Sequence, residues 1–168
     1  MIKLNKLTSI ITKGTTPVTY EFDFLFDKVN FIKSECLINK PKIDTSKVVY
    51  IDKLTNEKLQ RSILKENDVL MSIAGYLGNL AIVTNDILPA NINQAIAIIR
   101  CNPILVLPQY LFYYLSTSKM KNIINNYNAQ SAQPNINLTQ VGDLDIFVAS
   151  MSQQQHIVNI LGLLVITI

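Results

Sequence analysis

Few residues in this chain are of types that do chemistry, and their spacing excludes most reactions. Nucleophilic catalysis needs a nucleophile with a general base in reach, usually a histidine. The chain has one histidine, His156, on the polar side of a C-terminal helical segment. Cys36 and Cys101 are its two cysteines. With one histidine they do not make a Cys/His zinc site, and they cannot brace a disulfide-rich secreted scaffold. No GxxxxGK[ST] loop and no GxGxxG occurs. Asp143 and Asp145 share a face if they lie on a strand. Glu66 and Asp68 flank a turn, where acids mostly hold backbone N–H groups. A nuclease needs a metal-holding cluster of acids, usually with a lysine two residues after one of them, and none follows a strand here. Asn102-Pro103-Ile104-Leu105 lacks the second proline and the aromatic residue of an adenine methyltransferase loop. The reading is a chain with no catalytic residue, no metal and no cofactor.

Binding chemistry is better represented. Of 168 residues 49% are apolar and 16% charged, with a net charge of +3. That composition excludes disorder and fits one domain with a real core. The charge is uneven: residues 1–65 carry twelve basic and seven acidic side chains, whereas 66–168 carry three and five. Such asymmetry suits either a lysine-rich solvated face or a surface that meets a polyanion. Residues 101–118 are uncharged but interrupted by Asn102, Pro103, Pro108 and Gln109, and the tail is apolar only from Ile160 to Ile168. Neither reaches the ~20 apolar residues of a membrane span. The N-terminus lacks the apolar stretch of a signal peptide, so the expected location is the reducing cytoplasm.

The elements that must position these residues follow from periodicity. Lys3–Ile11 reads as a strand or short helix, Lys28–Lys33 and Val48–Ile51 as strands, and residues 34–47 as a long loop. Thr55–Leu64 reads as a helix capped by Thr55 or Asn56. Val69–Ile73 and Leu80–Thr84, joined through Gly75 and Gly78, form a hairpin. Gln94–Arg100 is a further strand. Pro108 suits a helix first turn, and the apolar spacing carries that helix over 108–127. A short helix at 138–144 leads into a strand at 145–148, and Ser152 caps the last helix. The fold class is mixed α+β, with a domain over 1–150 and a C-terminal helix over 151–168.

Several segments, in order, resemble the target-recognition domain of type I restriction-modification specificity subunits. They are Ile10–Pro17 (IITKGTTP), Leu64–Val83 (LKENDVLMSIAGYLGNLAIV), Asn93–Ile96, the Tyr-rich Pro108–Ser116 (PQYLFYYLS), and Gln133–Asn137 followed by Leu144–Ile146 and Gln154–Ile157. The family's Pro-rich turn and Glu-Gln pair are replaced by Ala149-Ser150-Met151 and Gln154-Gln155.

The resemblance implies a non-catalytic reader of double-stranded DNA. In that family a full subunit carries two recognition domains, each reading half of a bipartite site. Long helices between them act as a ruler and dock methyltransferase subunits. One recognition domain with a short helix is expected to be a half-subunit, a truncated product or a fragment. Its expected partners are duplex DNA, an adenine methyltransferase subunit and a restriction subunit. Lys33, Lys40, Lys42 and Lys47 are the expected phosphate contacts. Tyr76 and Asn79, at the two-glycine turn, and Gln130 and Gln133, in an uncharged amide-rich stretch, are the expected base contacts, since amides pair with adenine. Ile157, Ile160, Leu161 and Leu164 form the expected partner interface, through which the chain can also self-associate. A pure interaction module and a small Mg²⁺-dependent nuclease using Asp143, Asp145 or Asp68 are the competing readings.

Overall fold

The computed structural model describes residues 1–17, 28–127 and 135–166, with side chains described as far as Leu163. The strands are β1 (Ile2–Lys3), β2 (Thr8–Lys13), β3 (Val29–Ile32), β4 (Val49–Ile51), β5 (Val69–Ser72), β6 (Leu80–Ile82), β7 (Ala90–Ile92), β8 (Ile96–Cys101) and β9 (Asp145–Ile146). The helices are α1 (Lys53–Lys58), α2 (Pro108–Leu115), α3 (Ser118–Asn126), α4 (Leu138–Gly142) and α5 (Met151–Ile166). The central sheet runs β2-β8-β5-β6, a second sheet runs β4-β3-β7, and β1 pairs with β9.

The central sheet is apolar on both faces, so β5 and β8 read as near-continuous apolar runs. Strand alternation divides them. Val69 and Met71 of β5, with Ala97, Ile99 and Cys101 of β8, face a core that includes Leu111 and Leu115 of α2 and Met120 and Ile124 of α3. Leu70, Ile96 and Ile98 face the opposite core, with Ile32, Ala90 and Ile92 of the second sheet. The mixed α+β class is therefore a sheet with helices on one face and a smaller sheet on the other.

The hairpin forms as its sequence predicts, with Val69 opposite Ile82 and Met71 opposite Leu80. Elsewhere the boundaries differ for local reasons. The helix expected over 108–127 is two helices, because Thr117 is extended and its hydroxyl caps α3 by accepting from the Met120 N–H. Helix α1 starts at Lys53, because Asp52 and not Thr55 is its cap; the Asp52 carboxylate accepts from the Thr55 N–H at 2.8 Å. The last helix is capped by Ser150 rather than Ser152. Gln153 Oε1 accepts from the Ser150 N–H at 3.1 Å, and Ser150 Oγ accepts from the Gln153 N–H at 3.4 Å, a reciprocal capping box. The strand expected at 145–148 is confined to Asp145–Ile146, the stretch that β1 pairs.

Helix α5 is anchored by one amide. Gln154 is fully buried. Its Oε1 accepts from the Leu107 N–H at 2.9 Å, and its Nε2 donates to the carbonyls of Leu105 at 3.1 Å and Ala149 at 2.9 Å. Gln154→Leu fits the volume but strands these groups, at about 1–3 kcal/mol for a buried group left unsatisfied. A Tm lower by about 2–12 °C is expected in thermal denaturation; an unchanged Tm would show that α5 is held by its apolar contacts alone.

Candidate nucleic-acid interface

Five segments meet at one end of the central sheet. The first is the β5–β6 turn, which needs left-handed backbone at Gly75 (φ 75°) and Gly78 (φ 76°). It is closed by hydrogen bonds from the Ser72 N–H to the Asn79 carbonyl and from the Gly78 N–H to the Ser72 carbonyl, both 2.8 Å. Tyr76 projects from its tip, 57% exposed. The β7–β8 connection lies beside it, fixed by the Asn93 N–H on the Ile32 carbonyl at 3.1 Å and the Ile73 N–H on the Ala95 carbonyl at 2.8 Å. Residues 14–17 adjoin that connection, since Thr16 Oγ1 bonds to the Gln94 side chain. Asn135 bridges to Ala74, and the Ile136 N–H donates to the Ile73 carbonyl at 3.0 Å.

The fifth segment is the basic loop after β3. Asn79 Nδ2 donates to the Leu37 carbonyl at 2.7 Å, and its Oδ1 accepts from Asn39 Nδ2 at 2.8 Å. Asn39 adopts a left-handed φ of 58°, a conformation that Asn tolerates better than most residues. Its own Oδ1 accepts from the Leu80 N–H at 3.1 Å, and the Pro41 carbonyl from the Ile82 N–H at 2.9 Å. The loop thus covers the free edge of β6, which would otherwise template aggregation.

The expected DNA-contacting residues separate on this scaffold. Lys33 pairs with Glu35 at 2.7 Å and Lys47 with Asp44 at 3.2 Å. Lys33 holds the Glu35 carboxyl below its ordinary range, and the Ser46 hydroxyl, then Lys47, do the same for Asp44. Beneath them burial pushes the Cys36 thiol up. Lys40 and Lys42 are exposed and make no ion pair among the described residues. Tyr76 is exposed and its hydroxyl makes no hydrogen bond among the described residues, whereas both polar atoms of Asn79 are engaged in holding the loop. Gln130 and Gln133 lie outside the described residues, and Asn135 follows them at the turn.

Other side chains do different work. Asp68 is fully buried and accepts from Arg100 Nε and Nη2, each at 2.7 Å, and from the Lys65 N–H at 2.8 Å. Lys3 Nζ donates to the Asp143 carbonyl at 2.8 Å and to the Asp145 carboxylate at 2.9 Å. No three His, Cys, Asp or Glu side chains among the described residues are placed to hold a metal ion. No helix of the described residues is long and apolar enough to cross a membrane. His156 is exposed. In α5, Ile157 packs on the domain core, Ile160 is 47% exposed and Leu161 is half-buried. Leu164 lies on the same helix, outside the described side chains.

Sequence reasoning missed the Asn39–Asn79 clasp, the Asp68–Arg100 pair and the Gln154 anchor. Each joins residues 32 to 49 positions apart, apart from the one local bond from Gln154 to Ala149, so local spacing carried no signal for the long-range contacts.

Comparison with known proteins places this geometry. Residues 2–168 match the family model described as type I restriction modification DNA specificity domain. The chain is 28% identical over 138 residues to the type I restriction enzyme EcoBI specificity subunit of Escherichia coli, covering 81% of this chain and 28% of that one. Among solved structures, the HsdS subunit from Thermoanaerobacter tengcongensis superposes with a TM-score of 0.72 at 15% identity, covering 97% of this chain and 41% of that one. The S subunit of the type I restriction-modification system from M. genitalium gives 0.59 at 15% identity, over 96% and 37%. At that identity the two structures speak to the fold alone. The chain spans well under half the length of each of these relatives.

Proposed function

Because the chain belongs to the family of type I restriction-modification DNA specificity domains, we propose that it reads one half of a bipartite duplex DNA site for a type I complex. In this reading it is non-catalytic, takes no cofactor, and acts in the cytoplasm with an adenine methyltransferase subunit and a restriction subunit. Residues 1–150 are the recognition domain. Residues 151–168 begin the helix that Ile160, Leu161 and Leu164 join to a partner or to a second copy, whereas Ile157, expected in that interface, packs on the domain core. The observation that carries the reading is the convergence of five loop segments on one sheet end, clasped by Asn39 and Asn79 and bordered by Lys40 and Lys42. A rigid scaffold that ends in convergent loops suits base reading, since loops follow a groove without disturbing the core.

Of the four lysines, Lys40 and Lys42 carry most of the phosphate attraction, because Lys33 and Lys47 are held in ion pairs, whereas Lys42 acts on the Asp86 carboxylate only at a distance. Replacing both by alanine is expected to weaken duplex binding for every sequence and to reduce the log–log salt slope by about 1.8, roughly 0.9 per phosphate contact. Tyr76→Ala, Gln130→Ala and Gln133→Ala are expected to change sequence preference instead. Fluorescence anisotropy on a labelled duplex, titrated with salt, measures the first effect, and selection from a random duplex pool the second. A native chain that fails to bind duplex at low salt would overturn the reading.

A further inference from the structure

The central sheet has two edges, and Lys40 and Lys42 border only one of them. At the other edge an open groove of about 700 Å³ runs between β2 and the segment that follows α1. It is lined by Ile10 and Thr12 of β2, by Glu57 of α1, and by Gln60, Arg61 and Lys65 after that helix. Arg61 is exposed, yet its Nη2 donates to Thr15 Oγ1 at 2.9 Å, so the guanidinium is held in place at the loop end of the sheet. Lys65 is exposed and lies further down the groove. Arg100 also lines it, but the buried Asp68 carboxylate cancels that charge. Among the described residues, Arg61 and Lys65 are the groove cations that face no carboxylate in an ion pair, and Glu57 opposes them.

The two basic tracks are arranged alike. Each begins at the loop end, one at Asn39 beside the Tyr76 turn and the other at Thr15 beside Gln94. Each then runs down an edge strand, β6 or β2. Those edges are three inter-strand steps apart, and the cations lie outside them, so the two tracks flank the loop end on opposite sides. From this placement we infer that the Arg61–Lys65 groove is a second phosphate-binding track. It contacts the DNA strand opposite the one held by Lys40 and Lys42, so that the Tyr76 turn and the β7–β8 connection face the groove between the strands. The inference rests on the proposed DNA-reading function and assigns to it a surface that the basic loop does not include.

The test is duplex binding by the full chain on a labelled duplex of mixed sequence, measured across a salt titration. Arg61→Ala with Lys65→Ala is expected to reduce the salt slope by about 1.8. Between 50 and 200 mM salt the native protein then loses about tenfold more affinity than the variant does. Glu57→Gln is expected to act in the opposite direction and tighten binding, which a merely damaged fold would not do. Circular dichroism confirms that each variant is folded; if Arg61→Ala unfolds, Lys65→Ala alone and Glu57→Gln decide the matter. Should the native chain bind, and Lys40→Ala with Lys42→Ala weaken it, while both groove variants superimpose on native, the second track is refuted and the DNA-reading function stands. Failure of the native chain to bind any duplex refutes both.

Discussion

Asp68→Ala is expected to lower the Tm by about 6–12 °C, equivalent to roughly 3 kcal/mol for a chain of this size. Asp68 has no exposed surface, and Arg100 reaches it with two guanidinium hydrogen bonds of 2.7 Å while keeping 21% of its own side chain exposed. Removing one partner of a buried pair costs about 3–5 kcal/mol, because the other is left charged and unpaired. Partial access to water lets Arg100 recover some hydration, so the lower end applies. A second loss adds to it: the carboxylate also accepts from the Lys65 N–H, which fixes the turn into β5. Asp68→Asn keeps that acceptor and is expected to cost less. Arg100→Ala and the double variant complete a cycle, in which the double variant should cost clearly less than the two singles added together. Thermal melts of the four proteins measure this. Singles that melt within about 2 °C of native, or losses that simply add, would show that the pair is not coupled.

Asp68 also shows where sequence reasoning stops. An acid beside Asn67 at the mouth of a strand reads as a turn acid, and one of its bonds is of that kind. The bond to Arg100 depends on β8 lying against β5 with Val69 opposite Ile99, a register that no local pattern specifies. The hairpin was legible because its determinants are neighbours in sequence: two glycines for left-handed backbone and apolar runs on either side. The break between α2 and α3 was hidden for a converse reason. Leu111, Leu115, Met120 and Ile124 all pack on one core, so their spacing runs across the break, and the Thr117 cap was the one sign of it.

At the candidate interface the legible part was residue type. Lysines in a loop, and an aromatic residue between two glycines, fall at one end of the central sheet. Which of them remain available is a matter of partners. Glu35 and Asp44 lie within three residues of the lysines they engage, close enough to have been weighed. The partners of Asn79 arrive from residues 37 and 39, and only folding brings them there. The Arg61–Lys65 groove was illegible for the same reason, since β2 and the segment after α1 are joined only in the folded sheet.

Gly14→Ala is expected to impair folding and binding together. The φ of Gly14 is not left-handed, so the requirement is not conformational freedom. A methyl group there would meet the backbone carbonyls of Ile92 and Asn93, which cannot rotate away as a side chain would. Either the end of β2 or the β7–β8 connection has to move, and overpacking of this kind costs about 1–3 kcal/mol, occasionally more. The displacement falls at the loop end of the sheet, where the Gly14 N–H donates to the Ile96 carbonyl, Thr15 holds Arg61, and Thr16 bonds to Gln94. The variant should therefore lose several degrees of Tm and bind every duplex sequence more weakly, without a new sequence preference. Gly162→Ala is the matched control. Nothing lies within 4 Å of the methyl group it would add, and the helix interior should gain about 0.5–1 kcal/mol. If Gly14→Ala melted and bound like native while Gly162→Ala behaved as expected, the close approach of β2 to the β7–β8 connection would not be a requirement of this fold.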